Sequence, residues 1–162
     1  MIRDATLDDL PRIVEIYNAS IPGRLATADL EPVSVAQRTP WFQAHDPGRR
    51  PLWVWEQDGA ILGWVSLQDF YGRCAYSATA EVSVYIAPEA RRAGIARGLV
   101  RELVARAPAM GVKTLVAFVF GHNQPSRRLL EGLGFERWGW LPRVARLDGE
   151  EKDLAILGRR IA

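Results

Sequence analysis

The chain has 162 residues, enough for one domain with a real apolar core. Its 48% hydrophobic and 25% charged content is ordinary for a globular protein, and a formal charge of +2 is too small a basic excess for a nucleic-acid binder. One cysteine, Cys74, allows no internal disulfide and fits a cytoplasmic setting; no signal-peptide pattern and no apolar run long enough to span a bilayer is visible.

In chain order, Ile2 to Ala5 reads as a short strand. Thr6 then caps a helix over roughly Leu7 to Ala19, with Asp8 and Asp9 in its first turn and Leu10, Ile13, Val14 and Tyr17 as its apolar stripe. Ser20 to Pro32 is a loop. Ser34 starts a second helix that ends near His45, before Asp46-Pro47-Gly48. Leu52 to Trp55 and Ile61 to Leu67 read as strands joined by a hairpin at Asp58-Gly59. After an aromatic-rich connection, Asp69 to Ala78, a strand at Ala80 to Ala87 stops at Pro88. A helix from Ala93 to about Arg106, a buried strand at Thr114 to Phe120 and a helix from Gln124 to Leu133 follow, the last capped by Gly134. Strands at Phe135 to Leu141 and roughly Lys152 to Leu157 complete a single mixed α/β domain over 1–162.

The segment with most chemical content is Arg91-Arg92-Ala93-Gly94-Ile95-Ala96, between the strand Val82 to Ile86 and the following helix. Strand, tight Gly/Ala turn and helix start place free N–H groups and the positive end of a helix dipole together, which suits an anion such as a pyrophosphate. The hexapeptide is neither Gly-x-Gly-x-x-Gly nor a Gly-Lys-Ser/Thr loop, so dinucleotide and NTP binding are disfavoured. Arg91, Arg92, Arg97 and Arg101 cluster around it. Strand alternation puts Glu81, Ser83 and Tyr85 on one face and Val82, Val84 and Ile86 on the other. A carboxylate at Glu81 is a candidate general base: a lysine-like ammonium, with a pKa near 10.4, is neutral at pH 7 only at roughly 4–5 kcal/mol.

Three segments align: Glu81 to Ala96, Gly121-His122-Asn123-Gln124-Pro125-Ser126, and Leu130-Glu131-Gly132-Leu133-Gly134-Phe135. With the turn Arg91 to Ala96 and the late Asn…Leu-Gly-Phe segment, the chain resembles the GCN5-related N-acetyltransferase (GNAT) superfamily over nearly its whole length. Ile2-Arg3-Asp4-Ala5, Ile16-Tyr17-Asn18, Glu31-Pro32-Val33 and Arg73-Cys74-Ala75-Tyr76 resemble the phosphinothricin and methionine-sulfoximine acetyltransferase group. The resemblance implies a mixed, mostly antiparallel sheet of about seven strands with about four helices, acetyl-CoA as donor, no metal and a homodimer. It implies that Val84, Tyr85 and Ile86 pair with the pantetheine arm and that Arg91, Arg92, Ala93, Gly94, Ile95, Ala96 and Arg97 hold the pyrophosphate. Asn123 and Ser126 would touch the pantetheine or adenosine side, and Glu81 would be the base, through a water. The acceptor would be a small amine carrying a carboxylate, bound by Arg73 and Tyr76. Many members place a Tyr or His seven residues after the Asn to protonate the leaving thiolate; here that residue is Leu130, leaving water, Tyr85, Tyr76 or His122. Trp41, Trp53, Trp55 and Trp64 are expected in the core or a dimer interface. Acetylation of a polypeptide amine and a non-catalytic CoA-binding module are the alternatives.

Overall fold

The computed structural model describes residues 1–162. Seven strands form one sheet in the order β1-β2-β3-β4-β5-β7-β6. They are β1 Ile2–Asp4, β2 Leu52–Gln57, β3 Ala60–Asp69, β4 Thr79–Ile86, β5 Thr114–Phe120, β6 Glu136–Leu147 and β7 Glu150–Arg160. Four helices complete the fold: α1 Leu10–Ala19, α2 Val35–Gln43, α3 Ile95–Arg106 and α4 Gln124–Gly132. All strand pairs are antiparallel except β4 with β5. The expected element order therefore holds, with three differences in extent.

The first helix opens as a 3₁₀ turn, Leu7–Asp9, because Asp9 accepts from the Thr6 N–H at 2.7 Å and from both Arg3 Nη atoms at 2.7 and 3.0 Å. Asp9 thereby joins β1 to α1. The helix after the arginine turn begins at Ile95 rather than Ala93, since Arg92 and Gly94 hold left-handed φ of 63° and 79°. The last two strands run well past the expected Leu141 and Leu157. Asp148-Gly149, with φ of 52° and 83°, makes a two-residue hairpin like Asp58-Gly59. Pro142 sits on the outer strand β6, where a missing N–H breaks no ladder, near an irregularity between Leu141 and Ala145.

Helices α1 and α2 cover one face of the sheet and α3 the other. Trp64, on β3, donates its indole N–H to the Ile13 carbonyl at 3.2 Å. On the far face, a Cβ on Gly98 of α3 would lie 2.8 Å from the Trp55 ring, so glycine sets how closely helix and sheet approach. The core between the layers is built from Ile13, Ile16, Trp53, Val65, Leu67, Leu99, Leu103 and Leu115, all almost fully buried. No helix is long and apolar enough to cross a membrane.

Candidate active site

Pairing between β4 and β5 stops early. The parallel register covers Thr79 with Thr114, Ala80 with Leu115 and Glu81 with Val116, and no further. Beyond Glu81 the strands separate, although β4 stays paired to β3 as far as Ile86 and β5 to β7 as far as Phe120. Each strand keeps one hydrogen-bonded edge and turns the other toward the gap. A slot of free backbone groups, alternating N–H and C=O, opens in the middle of the sheet. Ser83, Val84 and Tyr85 line it from β4, Ala117 to Phe120 from β5, and Asn123, Ser126 and Leu130 from the start of α4 and its inner face.

Glu81 stands at the last paired position, half-buried, and its carboxylate makes no hydrogen bond or ion pair with the protein. Burial pushes its pKa above the ordinary carboxylate value. Its cross-strand neighbour is Gln68; Ser83 faces Ser66 and Tyr85 faces Trp64. The alternation read from sequence is thus realised: Glu81, Ser83 and Tyr85 share the face under α1.

At the far end of β4, Pro88–Ala90 forms a 3₁₀ turn, and the chain passes through Arg91 to Gly94 into α3. Gly94 caps α3 with its backbone alone, so the N–H groups of Ile95, Ala96 and Arg97 have no helical partner. A Cβ on Gly94 would meet nothing within 4 Å. Glycine is required there by its φ, not by crowding. Arg91, Arg92 and Ala93 are exposed. Arg97 and Arg101 also face a groove of about 540 Å³ with Arg159, between α3 and the end of α4.

A segment of the α1–α2 loop crosses the slot. His122 Nε2 meets the Arg24 carbonyl at 3.0 Å, Asn123 Nδ2 donates to the Leu25 carbonyl at 3.2 Å, and the Tyr85 hydroxyl donates to the Ala26 carbonyl at 3.1 Å. Three consecutive carbonyls are thus held by three side chains from two sides of the gap. Asn123 is 7% exposed and spends its side-chain oxygen accepting from the Ser126 N–H, at 3.2 Å, as the cap of α4. Of the groups considered for thiolate protonation, His122 and Tyr85 are engaged with this loop, and burial raises the Tyr85 pKa. Leu130 is buried and lines the slot.

A second cavity, about 170 Å³, lies on the α1/α2 face beside Ser83 and Tyr85. Its aromatic walls are Tyr17, Trp41, Trp64 and Tyr85; its polar lining is Arg38, Ser66, Gln68 and Ser83. Trp53 and Trp64 are core residues as expected, but Trp41 and Trp64 also wall this cavity, so the tryptophans are not only packing. The Arg38 guanidinium lies 4.5 Å from the Tyr17 ring centroid and 4.8 Å from that of Trp41. Sequence reading missed Arg38. The available signal was its spacing three residues before Trp41, which puts both on one face of α2. Arg73 and Tyr76 lie on the β3–β4 connection, exposed, and line neither cavity; Tyr76 packs edge-on against Phe70 and Tyr71.

Known proteins are similar to this chain in sequence and fold. A Bacillus subtilis protein, YwnH, itself only provisionally named a phosphinothricin acetyltransferase, is 45% identical over 162 residues, covering 99% of each chain. The L-methionine sulfoximine/L-methionine sulfone acetyltransferase of Pseudomonas aeruginosa is 34% identical over 157 residues, or 96% of this chain and 91% of that one. A crystal structure of a GNAT phosphinothricin acetyltransferase from Sinorhizobium meliloti, in complex with acetyl-CoA, superposes with a TM-score of 0.93 at 34% identity, covering 99% and 87% of the two chains. The family profile described as Acetyltransferase (GNAT) family matches residues 10–135, and the chain belongs to that family of N-acetyltransferases.

Proposed function

We propose that the protein transfers an acetyl group from acetyl-CoA to the primary amine of a small amino-acid analogue, by direct attack of the amine on the thioester. The observation that carries this reading is Glu81: a half-buried carboxylate without a protein partner, at the last paired residue before the sheet opens. The slot is bordered by strand edges whose backbone groups are unpaired, which suits an extended arm bearing amide groups. In this reading Val84, Tyr85 and Ile86 offer backbone groups to that arm. Arg91 to Arg97 receive the pyrophosphate on free N–H groups, and Asn123 and Ser126 border the arm from α4. The groove of Arg97, Arg101 and Arg159 suits a further phosphate.

Glu81 takes one proton of the ammonium through a water, the neutral nitrogen then bonds to the carbonyl carbon, and its second proton passes to solvent as the amide forms. A free N–H on the slot edge of β4 stabilises the charge that develops on oxygen. The C–S bond breaks and the thiolate takes a proton from solvent. That last step needs little help. A thiol with a pKa of about 8.5 is a good leaving group, and its protonation at pH 7 is worth only about 2 kcal/mol. A leucine at position 130 is compatible with turnover for this reason. Arg73 and Tyr76 line neither the slot nor the 170 Å³ cavity. The same reading has the enzyme as a cytoplasmic homodimer, with Trp138, Leu141 and Val144 exposed along β6 as an apolar edge for self-association.

The test is thiol release from acetyl-CoA with a panel of phosphinothricin, methionine sulfoximine, free amino acids and short peptides. Wild type is expected to respond to a small amino-acid analogue, and Glu81→Gln to lose about 10²- to 10⁴-fold in kcat. Equal rates for the two proteins remove Glu81 from the mechanism, and a response to peptides alone moves the acceptor to polypeptides.

A further inference from the structure

The polar lining of the 170 Å³ cavity is unspent. Arg38 takes part in none of the nine ion pairs of the chain, and its side chain makes no hydrogen bond to the protein. The carboxylate of Asp29, on the neighbouring loop, is taken by the Tyr17 hydroxyl. Ser66 is 0% exposed, and its hydroxyl oxygen has no partner at all. A buried hydroxyl without a hydrogen bond is costly, about 1–3 kcal/mol, and native interiors rarely leave one. Gln68 and Ser83 turn their side chains to the same space and form no side-chain hydrogen bond.

These groups have a common sense. All four can donate, and one carries a fixed positive charge. The guanidinium carbon lies over the Tyr17 and Trp41 rings, which offer no hydrogen-bond acceptor atom to its N–H groups, so those groups stay available to a ligand. Nothing anionic lines the cavity to compensate Arg38. The ladder positions also set the direction to the reaction. Ser66 and Ser83 are cross-strand partners, and one step along the same face Gln68 partners Glu81. Two residues along a strand is about 6.5–7 Å, the length of a short amino acid.

We infer that this cavity is the acceptor pocket and that Arg38 is its specificity-determining residue, binding an oxyanion of the acceptor through paired N–H donors while Ser66, Gln68 and Ser83 satisfy the remaining oxygen lone pairs. The inference rests on the acetyltransferase reading above and adds the residue that selects the acceptor: Arg38 admits a short amine bearing a carboxylate or phosphinate. Amines without an anion, and polyamines above all, are rejected by the uncompensated charge.

The experiment compares wild type with Arg38→Met, which keeps the stem, and Arg38→Lys, which keeps the charge but not the fork. Acceptors are phosphinothricin, methionine sulfoximine, the methyl ester of methionine sulfoximine, and 3-aminopropylphosphinate. Wild type is expected to prefer acid to ester by at least about 10²-fold in kcat/KM, and Arg38→Met to reduce that ratio to near 1 by raising KM for the acid. Arg38→Lys should fall between, and KM for acetyl-CoA should stay within about threefold. Retained activity on 3-aminopropylphosphinate assigns Arg38 to a distal oxyacid; retained activity only on carboxylates assigns it to the α-carboxylate. An unchanged acid-to-ester ratio in a folded Arg38→Met overturns the inference. Calorimetric titration of phosphinothricin and methionine sulfoximine into the protein, without acetyl-CoA, separates this failure from that of the reaction. Binding that Arg38→Met abolishes upholds the pocket even with no turnover, and no binding of either compound by wild type overturns it.

Discussion

Replacing Asn123 tests how the slot is roofed. Its side chain does two jobs: the oxygen caps α4 on the Ser126 N–H, and the nitrogen holds the Leu25 carbonyl. Asn123→Ala removes both. Loss of a cap costs about 1 kcal/mol. Leaving the Leu25 carbonyl without a partner adds about 1–2 kcal/mol, toward the low end because the flanking carbonyls of Arg24 and Ala26 keep theirs. The sum, about 2–3 kcal/mol, corresponds to a melting point lower by about 5–10 °C for a domain of this size. Asn123→Asp separates the two contributions. An aspartate still caps, and its charge suits a helix N-terminus, but it cannot donate to Leu25. It should lose only about 1–2 kcal/mol, yet free residues 20–30 as much as alanine does. Thermal melting gives the first quantity, and hydrogen exchange over residues 20–30 gives the second. An aspartate variant that exchanges this segment at the wild-type rate would refute the role given to the Leu25 bond. Equal melting of the two variants would refute the role given to the cap.

Three further outcomes follow from particular contacts. Because burial raises the Glu81 pKa, the native state holds that proton more tightly than the unfolded chain, and the carboxylate lowers stability as pH rises through and above the unfolded value of about 4.3. Glu81→Gln should therefore melt higher than wild type at pH 7 and equal to it near pH 3, while the wild-type rate falls on acidification below the raised pKa; a lower melting point at pH 7 contradicts the desolvation argument. Asp9 behaves oppositely. Its pKa is lowered, first by its bonds to Arg3, so its contribution is present above about pH 4 and lost as pH falls through the folded value. The melting difference between wild type and Asp9→Asn should shrink from pH 6 to pH 2, and a constant difference counts against the ion pair. Gly121→Ala should be worse than Gly158→Ala, although both new Cβ atoms strike an indole. Trp140, which meets Gly121, is tied to Asp153 at 3.0 Å and packed by Arg127 and Arg137, whereas Trp138, which meets Gly158, is 45% exposed and has no side-chain hydrogen bond within the chain to hold it. Chemical denaturation of the pair gives the order directly.

Most of the fold was legible because periodicity and turn chemistry agreed. Ser34 capped α2, Asp58-Gly59 made its hairpin, and β5 ran from Thr114 to Phe120 as read. The Asp148-Gly149 hairpin carries the same signal, but the charged residues around it mask the length of the two strands it joins, the edge strand β6 and its inner neighbour β7. Glu81 could be placed on its face from alternation alone, while Leu130 was marked only by the resemblance, as the residue seven after Asn123, and the structure puts it in the slot. The stop in pairing after Glu81 could not be read. It depends on what lies between two strands distant in sequence, and no local pattern records it. Arg38 is hard to single out for a related reason: even with Trp41 three residues along the same helix, it reads as a solvated charge until Tyr17 arrives from α1.

A split sheet has more than two borders. The outer ones here are blunt: β1 has three residues, and β6 is kinked twice and interrupted by Pro142. The slot adds two inner borders, facing each other, each a row of hydrogen-bonding groups able to template a foreign strand. Residues Arg24 to Ala26 lie across them with their carbonyls tied down. The loop that roofs the reaction site is therefore also a guard against aggregation, and a variant selected for a wider active site by loosening it would be expected to lose solubility before it loses its fold.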